Sequence, residues 1–340
     1  MILANDSTSP NSTLLKQVSI VGAGAIGQLI YHQLSTDVSA SKIAVNVISR
    51  AAHSQLQPLT FTNLDNTEST QIAEFVGLND YSQRLPETDL LIVCLKAYQV
   101  CAALKIIIPM LSTECNILLL HNGMGPHLGV AQMLNGQSLS LGTTSQAALK
   151  QSQWHTKQTG KGVTQLGTFH LPKHFKPLGT ASQQKPSAQK TLSESLKNIL
   201  LTAIPQSLWS EEILTMLWQK LAINVAINPL TAIHNCQNGQ LAHEQYRDTI
   251  IAAVTELVKV ANAEHIPLEL PSVLDRVYQV ITLTADNYSS MHQDVLHQRT
   301  TEIDSINGFV VQMAKRHCIT TPQNQQLVDQ IKHLERQYHR

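Results

Sequence analysis

Over the first half of the 340-residue chain, short runs that are apolar almost throughout alternate with amphipathic stretches; long amphipathic stretches fill the second half. Gln17 to Val21, a glycine turn, an amphipathic stretch through Leu34 and then Ile43 to Ile48 predict a strand-helix-strand unit. Apolar runs at 89–95, 116–120 and 139–142 predict further strands. Runs lacking polar alternation belong to parallel sheets covered on both faces. Residues 160–167 predict a hairpin or edge strand closing that sheet, 173–190 a polar surface excursion, and 189–202 a helix. From Ser210, an expected N-cap followed by Glu211 and Glu212, the pattern is helical to the end.

One predicted helix, at 218–233, is apolar nearly all round yet carries a polar stripe. At 100° per residue, Lys220, Asn224, Asn228 and Thr231 fall within roughly a quarter of its circumference. A buried lysine is costly unless its charge is compensated, so the stripe points to a small anionic or carbonyl-bearing ligand lying along it. Pro229 lacks the N–H that would bond the Val225 carbonyl, which predicts that the helix kinks or ends there and exposes backbone beside Asn228.

Gly22-Ala23-Gly24-Ala25-Ile26-Gly27 matches GxGxxG directly between the first predicted strand and its helix. In that context the first glycine permits the turn, the second lets backbone approach a pyrophosphate, and the third allows close helix-strand packing. The competing reading is a glycine turn with no ligand. The second strand ends Ile48-Ser49-Arg50 without the acid that would hold the ribose hydroxyls of NAD, and Arg50 can pair with a 2′-phosphate, so NADP is favoured over NAD. Sheets of this kind bind ligands outside the carboxyl ends of their strands, which places Lys96, Gln99 and Asn122 to meet the cofactor; a solvated lysine and an Asn-Gly turn are the structural alternatives. The fold class is therefore α/β: a disordered tail at 1–16, a Rossmann-type NADP-binding domain at 17–208 and an all-α substrate and catalytic domain at 209–340.

The composition narrows the function further. Equal numbers of basic and acidic residues, 24 each, argue against bulk electrostatic binding of nucleic acid or a membrane surface. Five cysteines in no paired spacing are expected to be buried thiols of a reducing, cytoplasmic compartment, and fifteen histidines form no metal-ligand motif, so no metal site is expected. No Gly-x-Ser-x-Gly or Cys/His arrangement supports nucleophilic catalysis. On a helical wheel through 299–309, Glu302 falls on the apolar face with Ile306, Phe309 and Met313, which marks it as a functional candidate, as a structural partner of Arg299, or as the neutralising partner of Lys220 across a cleft.

The motifs GAGAIG (22–27), LKAYQV (95–100), HNGMG (121–125), WQKLAINVAINPLTAIHNCQNG (218–239), SSM (289–291) and TEIDSINGF (301–309) together resemble ketopantoate reductase, the 2-dehydropantoate 2-reductase family, over essentially everything after residue 16. The second-half motifs are far more specific than the glycine loop. The resemblance implies NADPH-dependent reduction of ketopantoate to pantoate in the pantothenate and coenzyme A route, by a monomer or homodimer. By resemblance, Lys220 is the general acid, with Glu302 near it and the cofactor, and Asn122, Asn224, Asn228, Asn238 and Ser290 meet the substrate. The glycine loop with Ala23, Ala25 and Ile26, Arg50, Lys96, Gln99, Asn122 and Ala148 would hold the cofactor. A reductase of another 2-oxo acid, or an NADP-sensing protein without catalysis, is the alternative.

Overall fold

The computed structural model describes residues 15–36, 43–171 and 190–338. The expected tail lies outside these except for Leu15 and Lys16, and the polar excursion at 173–190 except for Lys190.

Six strands, β1 (Lys16–Val21), β2 (Ile43–Ile48), β4 (Glu68–Val76), β5 (Leu90–Val93), β6 (Asn116–Leu119) and β7 (Ser138–Thr144), run parallel in the order β4-β2-β1-β5-β6-β7. In sequence rank this is 3-2-1-4-5-6, the doubly wound order, with its switch point between β1 and β5. β3 (Gln55–Thr62) adds antiparallel to β4, and beyond it lie β9 (His155–Gly160) and the edge strand β8 (Ala147–Ser152). At the other end β10 (Thr164–Thr168) joins antiparallel to β7 and β11 (Ser207–Trp209) closes an eleven-stranded sheet. β3 was not foreseen because Pro58 interrupts its alternation; here Pro58 faces Ile72 across the β3–β4 pair.

Both faces of the sheet are covered, which explains the unbroken apolar strands. Leu90 and Ile92 join Val18, Ile20 and Val47 beneath α1 (Ala25–Thr36) and α5 (Glu194–Ala203). Leu91 and Val93 turn the other way, with Leu139 and Leu141, into a core shared with α3 (Ala97–Ile107) and α4 (Pro126–Met133); the short α2 (Tyr81–Arg84) precedes β5. That second core runs without a break into the helical half, α6 (Ile213–His234), α7 (Glu244–Ala263), α8 (Leu270–Leu283), α9 (Ser290–Leu296), α10 (Asn307–Arg316) and α11 (Pro322–Tyr338).

Two expectations about α6 are corrected. The helix starts at Ile213, not beside Ser210, whose hydroxyl instead accepts from the Glu212 N–H in the preceding turn. Nor does Pro229 end it: α6 continues to His234. The Val225 carbonyl that Pro229 leaves without a helical donor accepts from Asn307 Nδ2 at 3.0 Å. Asn307 is fully buried and also donates to Asn324 Oδ1 at 3.0 Å. Asn324 in turn donates to the Ala253 carbonyl and to Glu256, whose carboxylate accepts the Gln323 and Asn324 N–H groups at the start of α11. The cysteines are all free, and Cys318 is exposed rather than buried as expected.

Asn307→Ala is expected to destabilise the protein by about 1–3 kcal/mol, because a buried carbonyl loses its donor. In a Pro229→Ala background the residue at 229 supplies that N–H, so the penalty should shrink; urea unfolding of the four variants measures the coupling.

Candidate active site

The glycine loop lies at the switch point. Gly22 adopts φ +106°, and a Cβ there would sit 2.7 Å from the Cys94 carbonyl oxygen at the end of β5. At Gly27 a Cβ would fall 1.8 Å from the Gly22 oxygen, so α1 packs against the loop only because the side chain is missing. A Cβ at the exposed Gly24 meets nothing within 4 Å. Gln28 ties the loop down, donating to the carbonyls of Ala23 at 3.0 Å and Gln153 at 2.9 Å. Backbone open to solvent at the start of α1 fits the pyrophosphate of a dinucleotide. Arg50 is exposed two residues beyond β2, at the same edge of the parallel sheet, which fits a phosphate on the adenosine ribose.

Next to the loop, Lys96 stands at the N-cap of α3, between two carboxylates of the helical half. Its ammonium is 2.5 Å from Asp294 Oδ2 and 3.5 Å from Glu302 Oε2. Glu302 Oε1 accepts the Ala97 N–H at 2.9 Å, in the first turn of α3. Burial alone would lower the Lys96 pKa, but Glu302 and Asp294 outweigh it and hold the ammonium above its ordinary value. Burial pushes the Glu302 carboxyl up, against the pull of Lys96 and the Ala97 N–H.

Glu302 is buried as expected, but not because it lies on a helix face. It precedes a short 3-10 turn at Ile303–Ser305, and α10 begins only at Asn307. α11 holds this segment in place: Glu335 Oε1 accepts the Thr301 N–H and hydroxyl, each at 2.8 Å, Lys332 pairs with Asp304 at 2.6 Å, and Tyr338 donates to the Arg299 carbonyl. Both suggested partners of Glu302 are corrected. Arg299 pairs with Asp294 at 3.1 Å, and Glu302 pairs with Lys96 rather than Lys220.

Lys220 reaches from α6 to the carboxyl ends of the strands. Its ammonium donates to Asn122 Oδ1 at 3.1 Å and to the Thr144 carbonyl at 2.8 Å. Burial lowers its pKa to about 8, with Glu302 pulling the other way. The cleft around it is lined by His121, Asn122, Gly123, Thr143, Leu217, Lys220, Leu221 and Asn224. The Met124 N–H donates to the Ser305 carbonyl at 2.7 Å, locking the Asn122 turn to the Glu302 segment.

Asn228 is buried further along α6, and Thr231 is used structurally, its hydroxyl donating to the Ile227 carbonyl at 2.8 Å and lying 2.7 Å from Ser289 Oγ. Ser289 caps α9, which leaves Ser290 exposed at its first position. Asn238 is buried and donates to Thr284 at 2.9 Å, while its Oδ1 has no partner. Of the expected site residues, Asn122, Lys220 and Asn224 line the Lys220 cleft; Asn228, Asn238 and Ser290 are not among its lining residues, Gln99 is exposed in the first turn of α3, and Ala148 lies on the edge strand β8 opposite Gln158. Asp294 was missed, although an aspartate three residues after Met291 on a short helix is the same signal of a buried acid that singled out Glu302. Thr143 and Thr144 carried no signal beyond their strand. Among the described residues, no group of His, Cys, Asp and Glu could hold a metal ion, and no helix is long and apolar enough to cross a membrane.

Comparison with known proteins places both halves. A family model described as ketopantoate reductase PanE/ApbA matches residues 18–170, and one described as ketopantoate reductase PanE/ApbA C terminal matches 212–335. The chain is 37% identical over 321 residues to a 2-dehydropantoate 2-reductase of Vibrio cholerae, covering 94% of this chain and 98% of that one. Among solved structures, D-mandelate dehydrogenase with NADH and anilino(oxo)acetate shares the fold with a TM-score of 0.78 at 22% identity, over 95% of this chain and 100% of that one. A PanE/ApbA family ketopantoate reductase from Ralstonia eutropha JMP134 does so with 0.77 at 22% identity, over 95% and 100%.

The loop geometry separates two glycine substitutions. Gly27→Ala should lower the melting temperature sharply, because its Cβ overlaps backbone. Gly24→Ala should melt like the parent yet bind dinucleotide at least about tenfold more weakly by fluorescence titration, since its methyl occupies the space a phosphate would take.

Proposed function

The chain belongs to the ketopantoate reductase family of oxidoreductases, and from that premise we propose that it reduces ketopantoate to pantoate with NADPH, Lys220 acting as the general acid. The observation that carries this reading is the Lys220 ammonium, buried in the cleft at the strand ends with its pKa lowered to about 8. In this reading residues 17–208 bind the cofactor and 209–340 supply catalysis.

The bound cofactor supplies a hydride for the C2 carbonyl carbon, and the protein handles position and proton. The glycine loop and the start of α1 hold the pyrophosphate, and Arg50 takes the 2′-phosphate. Lys96, paired with Asp294 and Glu302, fixes the cleft wall on the sheet side. Asn122 and the Thr144 carbonyl orient Lys220 through two of its protons, leaving the third for the substrate. As the carbonyl oxygen gains charge it takes that proton from Lys220 Nζ. Asn224, Asn228, Asn238 and Ser290 hold the carboxylate and hydroxyl of the substrate, so that the carbonyl carbon faces the cofactor.

A second reading, a reductase of a different 2-oxo acid, is favoured by one observation: D-mandelate dehydrogenase, with anilino(oxo)acetate bound, shares the fold at a TM-score of 0.78. NADPH oxidation with ketopantoate and a panel of 2-oxo acids distinguishes the two by relative kcat/KM.

Lys220→Ala should cut turnover by more than about 100-fold while leaving NADPH affinity nearly unchanged; retained turnover would remove the general-acid role. Because Lys220 donates only when protonated, activity should hold below pH 8 and fall as pH rises through about 8. Arg50→Ala should lower kcat/KM for NADPH by about tenfold or more, with little change for NADH, since only the phosphorylated cofactor loses a charge-assisted hydrogen bond.

A further inference from the structure

The cleft around Lys220 contains a polar group that nothing in the protein satisfies. Thr143 is only 6% exposed, and its Oγ1 is buried without a hydrogen-bond partner. Its direction follows from the strand. Leu139, Leu141 and Thr143 alternate onto one face of β7, the two leucines belong to the core shared with α6, and Thr143 lines the cleft beyond them. Lys220 crosses from α6 to the carbonyl of the next residue, Thr144, at 2.8 Å. The ammonium and the orphaned hydroxyl therefore meet the same short stretch of β7.

The neighbouring groups narrow what Thr143 can serve. His121 Nδ1 lies 3.0 Å from the Asn122 carbonyl oxygen, which can only accept, so that nitrogen carries the proton and is committed. Neutral His121 then shows the cleft only an acceptor, and Asn122 Oδ1 already accepts from Lys220. Among the lining side chains the uncommitted donors are the third Lys220 proton, the Thr143 hydroxyl and the Asn122 and Asn224 amide groups, of which the Thr143 hydroxyl is the one buried without a partner. An unpaired buried hydroxyl destabilises a folded chain unless a ligand completes it.

We infer that the Thr143 hydroxyl is a second hydrogen-bond donor to the substrate oxygen that Lys220 protonates, a specificity and rate determinant of the 2-oxo acid reduction proposed above, on which this inference rests. Hydride adds to C2, the carbonyl π pair moves to oxygen, and that oxygen takes one proton from Lys220. Thr143 keeps its own proton and shares it with the growing negative charge. A donor of this kind strengthens as charge develops, so its loss appears in kcat more than in KM.

Thr143→Val keeps the shape and removes the hydroxyl; Thr143→Ser keeps the hydroxyl. With NADPH and the best 2-oxo acid of the panel, Thr143→Val should lower kcat about 10- to 100-fold with KM for NADPH and melting temperature nearly unchanged, and Thr143→Ser should recover most of the loss. Thr143→Val within twofold of the parent, or a serine variant as slow as the valine one, would overturn the inference while leaving the proposed function standing. A parent enzyme that reduces none of the 2-oxo acids would overturn both.

Discussion

Two carboxylates of the helical half, Asp294 and Glu302, converge on one lysine and one backbone N–H of the sheet half. Both acids are nearly inaccessible, so neither would remain charged in that position without compensation. Lys96 provides the cation, and the first turn of α3 adds its N–H and the positive end of its dipole. The arrangement is mutual, because those acids outweigh the effect of burial and hold the Lys96 ammonium above its ordinary pKa. Separating the halves would take the cation away from two nearly inaccessible carboxylates, which is costlier than breaking a pair exposed on both sides. The position of the cleft between them depends on this contact.

α6 forms the other wall. It is buried on nearly every side, and three of its polar residues have an assignable use: Thr231 bonds its own helix and Ser289, Lys220 bonds the strand ends, and Asn224 faces the cleft. Pro229 would leave a gap in the backbone bonding of such a helix. Asn307 fills it from α10, the helix that follows the Glu302 segment. A local defect in one wall is thus repaired by the element that positions the other, and α11 braces both through Asn324 and Glu335.

What could be read from the sequence was what short-range patterns encode. The glycine loop, the apolar parallel strands and the helical second half each rest on spacing within one element, and each stands. β4 within the parallel sheet and β3, β8 and β9 beyond it escaped because Pro58 and polar outward positions erase the alternation that marks a strand. Glu302 was expected to be buried and is, but on a mistaken premise: a helical wheel through 299–309 gave burial, whereas the chain there is a 3-10 turn pinned by α11. Its pairing was misassigned because partners distant in sequence depend on topology. Lys96 and Glu302 are brought together only by docking one half on the other, and no local pattern encodes that.

The allocation of charges explains how two lysines at the junction of the halves behave in opposite ways. Lys96 has two acids within 3.5 Å and is held above its ordinary pKa. Lys220 is bonded to an amide oxygen and a carbonyl, dipoles without net charge, and burial brings it down to about 8. Had Glu302 been paired with Lys220 instead, the same Coulomb attraction that raises Lys96 would have raised Lys220 and made its proton harder to release. A general acid works best when its pKa lies near the operating pH. By committing both carboxylates to Lys96, the fold secures the contact between its halves with one lysine and leaves the other desolvated and oriented, as the proposed proton transfer requires.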